Sequence, residues 1–380
     1  MQKIFLVFIF HVLFFPLSAV LYADWTLFRG DTGASGCAKE TIAFAEIPKI
    51  LWEHRLEKGW FQATAVITEN SEFGNTVYVG SSDDGMLAFD LKNGQPRWKY
   101  PLEIGVLSPA AYANNRIFFG DTDGILYALN AQTGKELWKF KTGGTIDNSP
   151  NIDLKTNRVL VSSQDGSLYA LDAATGKTAW EYKTENQIRC FPTIAERCCF
   201  VAGCDSQFHV VNLDQGTVVS KVALDAPTGS TPAVLGDLVF FGTEGNEFLC
   251  INWKKAEIVW RFTSKQPFRA PAACQDGFVV FGGFDKTVHA VDAQTGKEHW
   301  TFKTKGRLEA GPVILGNRVY VASTDSSLYV FDLKSGKKSA TIQMSGKLLA
   351  SPAIVQGKLV VGTDDGILSC LDIGDWVPKK

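Results

Sequence analysis

Short apolar segments separated by tight polar turns run along the whole chain. Between residues 150 and 182 there are four of them: one that follows Pro150, then Arg158–Val161, Ser167–Asp172 and Thr178–Tyr182. The segments are wholly apolar or alternate between apolar and polar residues, and none has the 3.6-residue period of an amphipathic helix. The pattern therefore predicts four short β-strands in this stretch and an all-β chain.

The same unit returns along the chain at an almost constant interval. The third segment of each copy ends on Asp or Asn, and successive copies are spaced by 40, 42, 40, 40, 40, 40 and 40 residues. These positions are Asp90, Asn130, Asp172, Asn212, Asn252, Asp292, Asp332 and Asp372. One four-stranded sheet cannot bury both of its faces, whereas eight sheets packed around an axis can. The repeat therefore predicts an eight-bladed β-propeller of four-stranded antiparallel blades.

The two ends of the chain predict how this ring closes. The eighth copy has three strand segments and no fourth, while an isolated fourth segment, residues 50–54 with Trp52, precedes the first copy. An open array would instead need terminal capping repeats. We therefore expect the N-terminal strand to complete the last blade, with residues near 50–56 pairing with residues near 366–372.

A set of fixed positions recurs in the repeats, as in Ala170, Asp172, Gly176 and Trp180. The Gly suits a turn with positive φ, and the Trp offers a large apolar face to the next blade. The predicted structural positions are Trp52, Trp98, Trp138, Trp180, Trp260 and Trp300, with Gly94, Gly134, Gly176 and Gly296. Some copies depart from the pattern: Ser220 and Ala340 replace Trp, and Ala256 replaces Gly.

This A-x-D-x-x-x-G-x-x-x-W pattern resembles the tryptophan-docking repeat of the pyrroloquinoline-quinone (PQQ) dehydrogenases and their cofactor-free relatives. The resemblance covers residues 50–372, and residues 25–31 resemble the segment that precedes the first blade in this superfamily. The uniform 40-residue repeats leave no room for the inserted loops that build the cofactor and calcium pocket of the dehydrogenases. The chain is therefore more similar to the cofactor-free, BamB-like propellers of the outer-membrane barrel-assembly machine.

The first residues predict export. Lys3 precedes an apolar run that ends at Leu17, and a short segment with small residues near its end then finishes at Ala23. This arrangement is typical of a secretory signal peptide at residues 1–23, and an uncleaved N-terminal anchor is the alternative. We expect a further N-terminal segment at residues 24–48, a propeller at residues 49–376, and a periplasmic or cell-surface location.

The 8 cysteines have no regular spacing, and several fall at strand positions where Cys acts as a small apolar residue. Four of them lie within residues 190–204, at Cys190, Cys198, Cys199 and Cys204, the one place where a disulfide is plausible. A vicinal bond between Cys198 and Cys199 is disfavoured because neighbouring strand residues point to opposite faces.

The turn between the second and third segments carries an acid in every copy. These acids are Asp83, Asp123, Asp165, Asp205, Glu244, Asp285, Asp325 and Asp364. They could form a ring that binds cations or a polycation, or each could cap its own turn. The second interpretation is favoured because the acid recurs regardless of blade.

The connections between successive copies vary in sequence, and binding residues are expected at variable loops of a repeat. The candidate binding residues are Asp147, Asn148, Arg189, Arg269, Arg307, Glu309 and Lys347. Their charges could hold an anionic or polar ligand, or could pair with one another at a solvated channel mouth.

No catalytic residue, metal site or cofactor is predicted, because the haem, zinc-protease, P-loop and nucleophile-elbow motifs are missing. A net charge of -2 excludes a basic nucleic-acid-binding field. We expect a monomeric, non-catalytic scaffold that binds another envelope protein. One alternative is a PQQ-dependent oxidoreductase, with PQQ held by Arg189, Arg269 or Arg307 and Ca²⁺ by Asp147 or Glu309. The other is a carbohydrate- or peptide-binding propeller.

Overall fold

The computed structural model describes residues 24–69 and 74–377, and the predicted signal peptide lies outside this range. Its regular structure is entirely β, with eight sheets of antiparallel strands whose first strands neighbour one another around a central axis. The predicted eight-bladed β-propeller is confirmed. Within the described ranges, no helix could span a membrane.

Each blade has four strands, which follow one another from the axis outwards. Blades 1 to 4 consist of Val66–Thr68, Thr76–Ser81, Gly85–Asp90 and Pro96–Tyr100; Ala111–Ala113, Arg116–Gly120, Ile125–Asn130 and Glu136–Lys141; Asn151–Asp153, Arg158–Ser162, Ser167–Asp172 and Thr178–Lys183; and Thr193–Ala195, Cys198–Ala202, Gln207–Asn212 and Val218–Ala223. Blades 5 to 8 consist of Ala233–Leu235, Leu238–Gly242, Glu247–Asn252 and Glu257–Thr263; Ala273–Gln275, Phe278–Gly282, Thr287–Asp292 and Glu298–Lys303; Val313–Leu315, Arg318–Ala322, Ser327–Asp332 and Lys338–Gln343; and Ala353–Val355, Lys358–Gly362, Ile367–Trp376 and Ile42–Arg55.

Ring closure follows the predicted pairing. Ile50 lies opposite Leu371, Trp52 opposite Cys370 and Arg55 opposite Ile367. The closing strand is longer than the five residues expected, since a second stretch of pairing begins where Ile42 meets Trp376. An irregularity separates the two stretches, and Pro48, which has no N–H to donate, lies within it.

Six tryptophans dock their own blade onto the next one. The indole N–H of Trp180 donates to the Leu213 carbonyl of the following blade at 3.1 Å, and the other five make the equivalent bond. The glycine beneath the tryptophan ring is required for two reasons, its backbone conformation and the close approach of the ring. Gly216 has a φ of 71°, and a Cβ there would lie 2.6 Å from the Trp180 ring.

The departures from the repeat have physical reasons. Ala256 adopts a φ of 53° at the glycine position of blade 5, and it tolerates a Cβ because blade 4 presents Ser220 there in place of tryptophan. Ala340 belongs to blade 7 and would dock onto blade 8. That blade takes its outer strand from the N-terminus and so has no third-to-fourth-strand turn to receive a tryptophan.

One face of the ring, termed the connection face, carries the connections between blades and the turns between second and third strands. The connections are hydrogen-bonded to the turns of the blades that they join. For example, the Ile188 N–H donates to Ser163 of blade 3, and the Gln187 carbonyl accepts from Cys204 of blade 4. The variable connections are therefore held at fixed positions around the axis.

Candidate functional site

The seven candidate binding residues lie on the connections, and the structure divides them into three clusters. Asp147, Asn148 and Arg189 lie on the connections into blades 3 and 4. Arg269, Arg307 and Glu309 lie on the connections into blades 6 and 7, and Lys347 precedes blade 8. They do not converge on a single pocket.

In the first cluster, a glutamine bridges two connections. The Gln164 amide donates to Asp147 at 2.7 Å and accepts from the Arg189 guanidinium at 3.1 Å. The Asn148 amide donates to Asp147 at 3.0 Å and also to the Arg189 carbonyl. Burial raises the pKa of Asp147 above its ordinary value, against the effect of these donors. Sequence reasoning missed Gln164 because it lies on a turn and not on a variable connection.

The second cluster is an alternating row of charged and aromatic groups. Arg269 donates to Glu244 through two bonds of 2.8 and 2.9 Å, and these bonds raise the pKa of Arg269. The Arg269 and Arg307 guanidinium carbons lie 4.8 and 4.7 Å from the centre of the Phe284 ring. Arg307 in turn pairs with Glu309 at 3.1 Å. Phe284 thus orders two arginines that remain about half exposed.

The third cluster is smaller and borders an apolar sector. The Lys347 ammonium lies 3.4 Å from Asp364, which also accepts the Lys347 backbone N–H at 2.7 Å. On the neighbouring connections, Trp60 is 40% exposed, and Leu107 and Leu349 are half-buried. The connection face therefore has a charged sector on blades 3 to 7. On blades 8, 1 and 2 the side chains of Trp60, Leu107 and Leu349 lie beside the Lys347–Asp364 pair, and this part is termed the apolar sector.

The turn acids act as caps, as favoured, in four blades. One oxygen of Asp325 accepts the Ser327 N–H at 3.1 Å, and the other accepts the Tyr329 hydroxyl at 2.9 Å. Three other turn acids likewise bond the backbone N–H two residues later and the side chain four residues later. They are Asp165 with Tyr169, Asp205 with His209, and Asp285 with His289.

The predicted ring of eight equivalent acids is wrong at three positions. Glu244 and Asp364 lie one residue before the cap position, which holds Gly245 and Asp365, so they project instead into the second and third clusters. In blade 2 the Ile125 N–H and the Tyr127 hydroxyl donate to Asp121 instead of Asp123.

The axis of the ring holds an element that the repeat did not predict. Residues 25–38, termed the axial segment, follow the inner strands around the channel, and Cys37–Ala38 adds a parallel strand beside the inner strand of blade 7. Within this segment Arg29 is fully buried. Its guanidinium donates to the carbonyls of Gly311 at 3.1 Å, Ala272 at 3.0 Å and Pro312. Burial lowers the pKa of Arg29 to about 10, so it remains protonated at neutral pH.

The disulfide considered plausible among Cys190, Cys198, Cys199 and Cys204 is not formed. All eight cysteines are free thiols. Cys198 and Cys199 pair in regular register with both neighbouring strands, as expected for side chains on opposite faces. Across residues 24–69 and 74–377, no group of three His, Cys, Asp or Glu side chains could hold a metal ion.

A small cavity lies between blades 1 and 2, away from the connection face. It measures about 20 Å³ and is lined by Tyr78, Trp98, Tyr112 and their neighbours. That volume accommodates about one water molecule, far less than the several hundred Å³ of a typical small-molecule site.

Comparison with known proteins identifies relatives of this propeller. The model of one family, described as outer membrane protein assembly factor BamB, matches residues 39–187, 149–214, 204–282 and 255–375. No curated protein sequence matches significantly.

Among solved structures, BamB from Moraxella catarrhalis superposes with a TM-score of 0.70 at 17% identity, covering 86% of this chain and 100% of that one. Quinohemoprotein alcohol dehydrogenase from Comamonas testosteroni gives 0.79 at 15% identity, covering 94% and 82%. A computationally designed protein, Ika8, gives 0.73 at 16%, covering 84% and 98%. At these identities the structural likeness shows the fold alone.

Proposed function

The chain belongs to the family of the outer membrane protein assembly factor BamB, and from that premise we propose that it is an exported, non-catalytic scaffold. Its partner would be another cell-envelope protein, bound by the connection face. The observation that carries the proposal is the difference between the repeated positions and the variable connections. Repeated positions build the ring, whereas the variable connections leave half-exposed Arg269, Arg307 and Trp60 at the surface.

The chemistry of this face suits a protein partner. Arginine and aromatic side chains dominate binding energy at protein interfaces. The charged sector presents Arg269 and Arg307, and the apolar sector presents Trp60. Glu244, Phe284 and Glu309 already hold the two guanidinium groups in place. Because these side chains are ordered before binding, less conformational entropy is lost when a partner docks.

The PQQ-dependent alternative has weaker support, because the residues suggested for it do not fit the cofactor. Arg189, Arg269 and Arg307 belong to two separate clusters, and the last two are already paired with carboxylates. Asp147 and Glu309, the suggested Ca²⁺ ligands, also lie in different clusters. The axial segment further occupies the inner edges of the ring. Binding of a carbohydrate or peptide at the connection face stays a prediction.

Photo-cross-linking in cells tests the proposal. A photoreactive phenylalanine analogue replaces Trp60 on the connection face or, as a control, Leu137, which is similarly exposed on the outer strand of blade 2. We expect one envelope protein, identified by mass spectrometry, to cross-link from position 60 and not from position 137. Equal cross-linking from both positions would contradict the proposal.

Substitutions then test the charged sector. The double substitution Arg269→Ala with Arg307→Ala should abolish this cross-link while leaving thermal stability nearly unchanged, because exposed ion pairs contribute little to folding. The control is Arg97→Ala, which removes an ion-paired arginine from the outer strand of blade 1, at the end of the blade away from the connection face. Loss of the cross-link in the control as well would argue against a role for the connection face.

A further inference from the structure

The inner strand of each blade has one free edge. It pairs with the second strand on one side, and its other side faces the axis, where its backbone N–H and C=O groups have no partner within the blade. Such an edge accepts an extended chain by β-augmentation. Eight of these edges arranged in a ring therefore offer a series of peptide-binding positions.

The axial segment occupies these positions blade after blade. Its carbonyls accept N–H groups from the middle residue of the inner strands of blades 1, 2, 4, 5, 6 and 7, at 2.7 to 2.9 Å. The donors are Ile67, Tyr112, Ile194, Val234, Cys274 and Ile314. In blade 3, the Asn151 side-chain amide donates to Thr32 at 2.8 Å instead. Residues 25–36 thus contact seven of the eight blades.

Specific side chains fix the register of this segment. Trp25 is 1% exposed and is paired with Ile67 through both of its backbone groups. Arg29 ties the middle of the segment to the connections that lead into the inner strands of blades 6 and 7, through the carbonyls of Ala272 and Gly311. Two glycines leave it room: a Cβ at Gly36 would lie 2.1 Å from the Arg29 guanidinium, and one at Gly311 would lie 2.8 Å away.

We propose that the axial channel is a binding site for an extended peptide and that residues 25–38 are its resident ligand. The required chemistry is an aromatic residue, an arginine four residues later, and small residues beyond it. The contacts are hydrogen bonds and packing, so the peptide would stay bound as a separate chain. The proposal does not depend on the partner of the connection face.

The test uses the full chain with a protease site inserted between Glu40 and Thr41, after the axial segment and before the closing strand. The folded protein is cleaved and passed through a gel-filtration column. We expect the N-terminal fragment to elute with the propeller, as measured by mass spectrometry. Release of the fragment, with the melting temperature unchanged, would overturn the proposal.

Competition by synthetic peptides tests the specificity without relying on the folding of a variant. Labelled peptide of residues 24–39 should exchange with the cleaved fragment when the protein is warmed. A peptide with Arg29→Met should compete at least about ten-fold less well, because it loses the charge-assisted bonds to buried carbonyls. The matched control is Lys39→Met, which removes an exposed charge from the same peptide. Equal competition by the two variant peptides would contradict the proposed role of Arg29.

Discussion

The indole N–H of Trp52 donates to the carbonyl of Leu91 at 2.8 Å, so the residue that completes the last blade also docks onto the first. Trp52 therefore contributes both to the pairing of strands within blade 8 and to the contact between blades 8 and 1. It lies on the N-terminal strand that pairs with Ile367–Trp376, and its ring covers Gly94 of blade 1. The two ends of the chain are joined at this point without a covalent bond.

Removal of Trp52 should therefore weaken the whole ring. We expect Trp52→Ala to lower the free energy of unfolding by about 3–5 kcal/mol, the usual cost of deleting a buried tryptophan. Trp52→Phe, which keeps most of the packing and loses the hydrogen bond, should cost less. Chemical denaturation measures both. The exposed Trp60→Ala is the control and should change stability by less than about 1 kcal/mol. Equal effects at the two positions would show that ring closure does not rely on this contact.

The glycine turns give a paired prediction. Gly216→Ala should destabilise the protein by about 2 kcal/mol or more, because its Cβ would meet the Trp180 ring at 2.6 Å. Ala256→Gly, at the turn that faces no docking tryptophan, should be neutral or stabilising by up to about 1 kcal/mol, since it relieves a positive φ. Thermal unfolding of both variants measures the contrast. Destabilisation by Ala256→Gly would show that this alanine has a packing role instead.

The turn caps predict a dependence on pH. Burial opposes ionisation of Asp325, but the bonds from Tyr329, Lys305, Gly306 and Ser323 outweigh it and lower its pKa. Because the pKa of this carboxyl is lower in the folded state, its ionisation stabilises the fold at pH values above the pKa of the unfolded state, about 3.9. That stability is lost as the pH falls through the pKa of the folded state. Asp325→Asn should therefore cost about 1–3 kcal/mol at pH 7, and the difference from the wild type should shrink below pH 4.

A second turn acid provides the comparison for Asp325. Asp83 occupies the equivalent turn in blade 1, where Leu87 stands at the tyrosine position and offers no hydroxyl. Asp83→Asn should have a smaller effect at pH 7. Urea denaturation from pH 3 to 7 measures the stability of both variants. If the loss of stability in Asp325→Asn did not depend on pH, the carboxylate charge would not be what holds the turn.

The repeated parts of this molecule could be predicted from the sequence, because each position occurs in several copies. Trp180 and Gly176 recur at constant spacing, and the missing tryptophans at Ser220 and Ala340 become intelligible once the neighbouring blade is known. The cap positions were harder to assign. Glu244 and Asp364 each lie one residue before the cap position. Because every turn contains an acid near that position, the sequence alone did not reveal the one-residue shift.

The parts that occur once could not be predicted in this way. The axial segment has no second copy, and the partners of Arg29 are backbone carbonyls more than 240 residues away, which leave no signature in the sequence. Phe284 and Gln164 lie on turns that the repeat marks as structural. Their contacts with Arg269, Arg307 and Arg189 depend on the three-dimensional distance between adjacent connections.

Titration of the purified mature protein with PQQ and Ca²⁺ tests most directly whether this propeller is a scaffold or an enzyme. The readouts are the melting temperature and the dye-linked oxidation of alcohols and sugars. With the axial segment lining the channel and the candidate arginines in separate clusters, we expect no saturable rise in melting temperature and no turnover. A saturable rise accompanied by turnover would contradict the account.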